Sequence, residues 1–233
     1  MPNGSYSVLI EKKIKEFNKT INVDSDKSIS IRSFLISAIS NDVSKIYNAL
    51  ESDDVNSCIQ CLKKLGVKIK RIKNKLYLVY GKGLGSLYCK KNTILNCGNS
   101  GTLARLLIGI LSTTPNIQVI IKGDSSLNKR NMVKLMNSIN EFGCQFLPKE
   151  KKHFPLKIIS SEMPVGIEYE TGNSAQIKSA VIFAALNSYG NTKIYEKLKT
   201  RDHTENILLK NSKSISFEKK NNLIKIFGKK KLK

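Results

Sequence analysis

A chain of 233 residues with 40% hydrophobic content is large enough to bury a sizeable core, as one large domain or two small ones. No stretch reaches the roughly twenty apolar residues that cross a bilayer, and the opening MPNGSYSVLIEKK lacks the apolar centre of a secretory signal, so a soluble, cytoplasmic protein is expected. The formal net charge of +22 raises nucleic-acid binding, but the cations are mostly lysines scattered among asparagine and isoleucine, with no single basic helix or aromatic-interleaved platform; a general lysine bias is the preferred reading.

In chain order, the first helical opening is DKSISIRSFLISAIS from Asp26. Related openings follow at GNSGTLARLLIGILS from Gly98 and GNSAQIKSAVIFAALNS from Gly172, about 73 residues apart. Each starts with small or polar residues that can cap a helix, places a cation several residues in, and then turns apolar, the pattern of a buried helix with a polar mouth. A second helix is expected after each: DDVNSCIQCLKKLG, LNKRNMVKLMNSINEFG and TRDHTENILLKNSKS, the first two stopped by Gly66 and Gly143. The runs NTILNCG, IQVIIKGD, GIEYE, NTKIYE, ISFE and LIKIFG read as strands. The predicted unit is βαβαββ, used three times, in a compact α/β (α+β) domain with pseudo-threefold symmetry whose first helices are buried and parallel.

That symmetry has an electrostatic consequence. Parallel first helices bring several N-termini to one face, each with free backbone N–H groups and a partial positive charge. Lys27, Ser28 and Arg32 crowd the first opening, Asn99 to Arg105 the second, and Ser174 to Lys178 the third; Arg130 stands at the start of a second-type helix. Arginine and lysine beside hydroxyls and amides suit a ligand with two or three anionic groups.

The five cysteines do not form a disulfide framework. Cys58 and Cys61 make a C-x-x-C, but within an amphipathic helix and with no second ligand pair, so core packing is preferred to metal or redox work. His153 reads as surface loop. His203 reads first as a residue of a helix N-terminus with local hydrogen bonds, and second as a support for Arg201.

GNSGT alone is a generic capped turn, and Ser174 alone a helix cap; it is the conjunction that carries specificity. DKSISIR, LNCGNSGTLARL, GDSSLNKR, GNSAQIKSA and TRDHTE stand in the order found in EPSP synthases, and from about Asp26 to the C-terminus the sequence resembles that family. The resemblance implies the enolpyruvyl-transferase fold, two domains of three repeats closing over the substrates. Residues 26–233 then form one three-repeat domain, residues 1–25 a leading segment that in the family begins in the other domain, and the second domain is absent.

The implied activity is transfer of the enolpyruvyl group of phosphoenolpyruvate to the 5-hydroxyl of shikimate 3-phosphate. Lys27, Ser28, Arg32, Ser174, Ala175, Gln176 and Arg201 are the implied shikimate 3-phosphate residues. Lys27, Asn99, Gly101, Thr102, Arg130 and Gln176 are those implied for phosphoenolpyruvate, with Gln176 between the two ligands. No general base is assigned, because the family takes it from the other half. No metal or organic cofactor is implied, and a separately encoded carboxy-terminal half is a possible partner. Asn131 stands where the family usually has proline, Thr200 where serine is common, and Ile31 at a site often polar. The alternatives are a UDP-N-acetylglucosamine enolpyruvyl transferase, which shares the fold, or a basic nucleic-acid-binding module.

Overall fold

A computed structural model describes residues 7–9, 11–13, 16, 18–218 and 222–232; residues 1–25, the expected leading segment, therefore lie partly outside the described residues. Among them no helix is long and apolar enough to cross a membrane. The first unit contains α1 (Lys27–Ile39), β1 (Val43–Tyr47), α2 (Asp53–Lys64), β2 (Lys68–Lys73) and β3 (Leu76–Tyr80). The second contains β4 (Thr93–Asn96), α3 (Gly101–Ser112), β5 (Gln118–Lys122), α4 (Ser125–Asn128), α5 (Val133–Asn140), β6 (Gln145–Leu147) and β7 (Leu156–Ile159). The third contains β8 (Glu168–Thr171), α6 (Ala175–Leu186), β9 (Asn191–Glu196), α7 (His203–Asn211), β10 (Ile215–Glu218) and β11 (Leu223–Phe227).

Each unit has its own sheet. The second is ordered β4-β5-β7-β6 and the third β8-β9-β11-β10, and in both the first pair is parallel and the others antiparallel. The first unit keeps the same order without an opening strand, β1-β3-β2. Two units thus match the predicted βαβαββ pattern. The first departs from it: residues 18–25 carry no regular structure, and Ile21 and Val23 are exposed.

Helices α1, α3 and α6 are the apolar centre. On α3 every residue except Arg105 is buried, and on α6 burial runs unbroken from Lys178 to Leu186. Each fully enclosed leucine or isoleucine contributes about 1.5–3 kcal/mol of transfer free energy, so these helices are held by packing rather than propensity. Hydrogen bonds fix their direction: Gln176 meets Thr102 near both N-termini, and Thr113 donates to the Ala184 carbonyl near both C-termini. The partners are 74 and 71 residues apart, close to the repeat length, so α3 and α6 run parallel in equivalent register. Gly109 permits this closeness, since a methyl there would come 2.2 Å from the Ala180 carbonyl oxygen.

By contrast α2 is amphipathic, with Val55, Cys58, Ile59, Cys61 and Leu62 buried on one stripe. The two cysteines are core residues, as expected. Gly66 and Gly143 both follow helices with positive φ, 82° and 85°. The segment from Leu127 to Gly143 is not one helix: α4 stops at Asn128 and α5 starts at Val133. Arg130 therefore lies in the link between them, whereas the sequence placed it at a helix start. Asn131 accepts from the Val133 N–H at 2.8 Å, a local side-chain turn in place of continued helix.

Candidate functional site

The three openings are capped alike. Asp26, Ser100 and Ser174 accept from the backbone N–H three residues on, at 2.7, 3.3 and 3.3 Å, and set α1, α3 and α6. Ser174 thus performs the capping role that the sequence allowed it. Ala175 follows it as the first helical residue and is nearly buried, which places backbone at the mouth with little side chain over it.

Side chains then stitch the mouths together. Gln176 lies between the second and third openings: its Nε2 donates to Thr102 Oγ1 at 3.0 Å and its Oε1 accepts from Arg105 Nη1 at 2.9 Å. Arg32, 3% exposed, joins the first opening to the third. Its Nε donates to Thr204 Oγ1 at 2.7 Å, Nη2 to Ser179 Oγ at 3.1 Å and Nη1 to the Ser28 carbonyl at 3.1 Å. Burial lowers the pKa of Arg32; Glu205 opposes that shift and Arg201 adds to it. A guanidinium remains charged under such a shift, so this is a cation held among neutral acceptors.

The second opening is tied to the link after α4. Asn99 Nδ2 donates to Asp124 Oδ2 at 2.8 Å, and Arg130 Nη2 donates to Asn99 Oδ1 at 3.0 Å. Asp124 also caps α4 through the Leu127 N–H at 2.8 Å, and that bond, with Asn99, holds its carboxyl below the usual range. A methyl on Gly101 would come 2.6 Å from Nη1 of both Arg105 and Arg130, so this glycine admits two cations to the start of α3. The pKa of Arg105 is lowered by burial and then by Arg130. An anion placed there relieves repulsion between two arginines. A neighbouring cavity of about 500 Å³ is lined by Arg105, Lys134, Lys152, Ser174 and Gln176 among others.

Other expected site residues are less enclosed. Lys27 is exposed and pairs with Asp54 on α2 at 2.9 Å. Ser28 is half-buried and offers its carbonyl to Arg32. Arg201 is exposed, two residues ahead of His203, where α7 begins. His203 opens α7 and is half-buried, while His153 is exposed in a turn, as expected.

Sequence reading missed the buried charges behind the mouth. Lys178 Nζ lies 2.6 Å from Glu205 Oε1 and 2.6 Å from Glu196 Oε1, with the lysine and Glu205 side chains fully enclosed. Thr204 and Ser179, the partners of Arg32, are also bonded to each other at 2.9 Å. The signal was present in SAQIKSA and RDHTE, where Lys178 and Glu205 sit one turn into their helices; nothing in the sequence says that both face inward.

The family model for EPSP synthase (3-phosphoshikimate 1-carboxyvinyltransferase) matches residues 11–233. The 3-phosphoshikimate 1-carboxyvinyltransferase of Syntrophomonas wolfei is 38% identical over 200 residues, 85% of this chain and 46% of the relative. That of Caldicellulosiruptor bescii is 43% identical over 196 residues, 83% of this chain and 44% of the relative. Among solved structures, EPSP synthase from Acinetobacter baumannii superposes with a TM-score of 0.83 at 34% identity, covering 91% of this chain and 47% of that one. The chain therefore spans about half the length of the relatives it matches.

Proposed function

The chain belongs to the EPSP synthase family, and from that premise we propose that it supplies the amino-terminal half of a site that transfers the enolpyruvyl group of phosphoenolpyruvate to the 5-hydroxyl of shikimate 3-phosphate. The observation that carries this reading is the convergence of three capped helix mouths with Arg32, Arg105 and Arg130, bridged by Gln176. Two polyanions must lie side by side in such a reaction. Fixed cations and helix N-termini reduce their mutual repulsion and bring the hydroxyl within reach of the enol carbon.

On this reading Arg32, Ser28, Ser174, Ala175 and Arg201 hold shikimate 3-phosphate. Asn99, Gly101, Thr102 and Arg130 hold phosphoenolpyruvate, and Lys27 and Gln176 stand between them. The hydroxyl gives up its proton and adds to C2 as C3 is protonated; the tetrahedral adduct then loses phosphate from C2 and a proton from C3, which leaves the enol ether. No residue of this chain is given the role of general base; that group is expected from a carboxy-terminal half, in the same polypeptide or a separate one. Residues 26–233 act as the three-repeat domain and residues 1–25 lead into it. A cytoplasmic location accords with two small, water-soluble anionic substrates.

The test is phosphate release from phosphoenolpyruvate plus shikimate 3-phosphate, with the chain alone and with a separately expressed carboxy-terminal half of a relative. Activity only in the mixture is expected. Activity from the repurified chain alone overturns the division into halves, and calorimetry without uptake of shikimate 3-phosphate at millimolar concentration overturns the substrate assignment.

A further inference from the structure

Buried charge is costly unless it is paired and hydrogen-bonded, so a fully enclosed lysine with two carboxylates calls for a reason beyond stability. Lys178 on α6 reaches Glu205 on α7 and Glu196 at the end of β9, both at 2.6 Å. Lys178 donates a hydrogen bond to Glu196, and its contact with Glu205 is an ion pair of the same length. Glu196 Oε1 also accepts from the N–H and hydroxyl of Thr200, at 3.3 Å each, and so fixes the segment leading to Arg201.

The residues next to this pair are the ones that hold Arg32. Ser179 follows Lys178, Thr204 precedes Glu205, and their hydroxyls bond to each other and to the guanidinium. A guanidinium carries five N–H groups. Three are engaged by Thr204, Ser179 and Ser28, and the remaining pair, one on each Nη, finds no acceptor among the described residues. Those two donors belong to the planar guanidinium fork and remain for an oxyanion.

We propose that Lys178, Glu205 and Glu196 form a positioning triad for the shikimate 3-phosphate site: by locking α7 and the Thr200 segment onto α6, they hold Ser179 and Thr204 where those residues orient the Arg32 fork. Glu205, next to Thr204 in the chain, also opposes the effect of burial on Arg32. The triad touches no ligand. Its consequence for binding rests on the functional reading above; its action on Arg32 does not.

Two measurements on the ¹⁵N-labelled chain test this. The first is hydrogen exchange at the Arg32 Nε–H, its NMR signal identified by its loss in Arg32→Lys. In Glu205→Gln, still folded by its amide spectrum, exchange is expected to accelerate about tenfold or more, the scale of one hydrogen bond's worth of local protection. A signal as protected as in the parent chain overturns the proposal. The second is calorimetric titration, in which the affinity for shikimate 3-phosphate falls about tenfold while that for phosphoenolpyruvate stays within about twofold. Equal losses for both ligands make the triad merely structural and likewise overturn it. Should the parent chain take up no shikimate 3-phosphate, the functional reading fails, and exchange at Arg32 still decides the positioning role. If Glu205→Gln does not fold, Glu196→Gln, at the partly exposed end of the triad, carries the same two measurements with the same expected and overturning results.

Discussion

Arg130 is bound to Asn99, Nη2 to Oδ1 at 3.0 Å, so the cation in the link between α4 and α5 is tied to the loop that opens α3. Gly101 leaves room for Arg105 beside it. The two arginines thus meet at one helix N-terminus, and an anion placed there would face all three.

Arg130→Ala is expected to weaken phosphoenolpyruvate binding by about tenfold or more, the scale of a hydrogen bond to a charged group. Binding of shikimate 3-phosphate, which the proposed function assigns to Arg32 and Ser174, should change much less. Double titration of the enzyme reconstituted with a carboxy-terminal half separates the two; equal losses would refute the division of labour.

The Asp124 carboxylate tethers this loop, and its pKa lies below the ordinary 3.8, chiefly because of the Leu127 N–H. A depressed folded-state pKa means that the carboxylate's contribution is present above the unfolded value and disappears as pH falls through the folded one. The Leu127 amide and Asn99 side-chain NMR signals should therefore be constant from neutrality to about pH 5 and shift only in stronger acid. Asp124→Asn should produce a comparable shift at pH 7.

Gly109→Ala forces a methyl against the Ala180 carbonyl. Because α3 and α6 pack backbone to backbone there, the helices must separate, at a cost of about 1–3 kcal/mol. Urea unfolding measures this directly. A change below about 0.5 kcal/mol would mean that the helices slide apart freely.

Lys178→Met leaves Glu205 buried without its counter-charge, and a loss of about 3–5 kcal/mol is expected. Glu205 itself has its pKa raised above 4.5, burial outweighing Lys178. For a carboxyl raised in the folded state the unfolded chain releases its proton first, so the group's contribution to stability declines as pH rises from about 4.5 through the folded value. Glu205→Gln does not titrate. Its stability relative to the parent should therefore improve over that interval, as chemical unfolding at a series of pH values can show.

Much of the fold was legible because its signals are local. Capping residues at Asp26, Ser100 and Ser174 followed by apolar runs specify helices whatever surrounds them, and their recurrence exposed the repeat. Arg130 was misplaced for the opposite reason: the pattern through Val133 to Asn140 is helical, but an asparagine side chain competing for the Val133 N–H delays the helix start, and such competition has no periodicity to read. The opening strand expected of the first unit is absent from residues 18–25, since a strand needs a neighbour to pair with and they have none among the described residues.

By itself the sequence determined the three-unit α/β architecture, the family and the cations at the helix mouths, because caps, apolar periodicity and motif order are properties of neighbours along the chain. Only the tertiary structure decided which mouths join, that Gln176 reaches both Thr102 and Arg105, and that Arg32 leans on Thr204, 172 residues away. It also decided that Lys178 and Glu205 are enclosed rather than solvated. Those outcomes depend on distances between segments far apart in the chain, set by how closely α1, α3, α6 and α7 pack, and the long-range burial that fixes the charge of each group leaves no mark in the residues beside it.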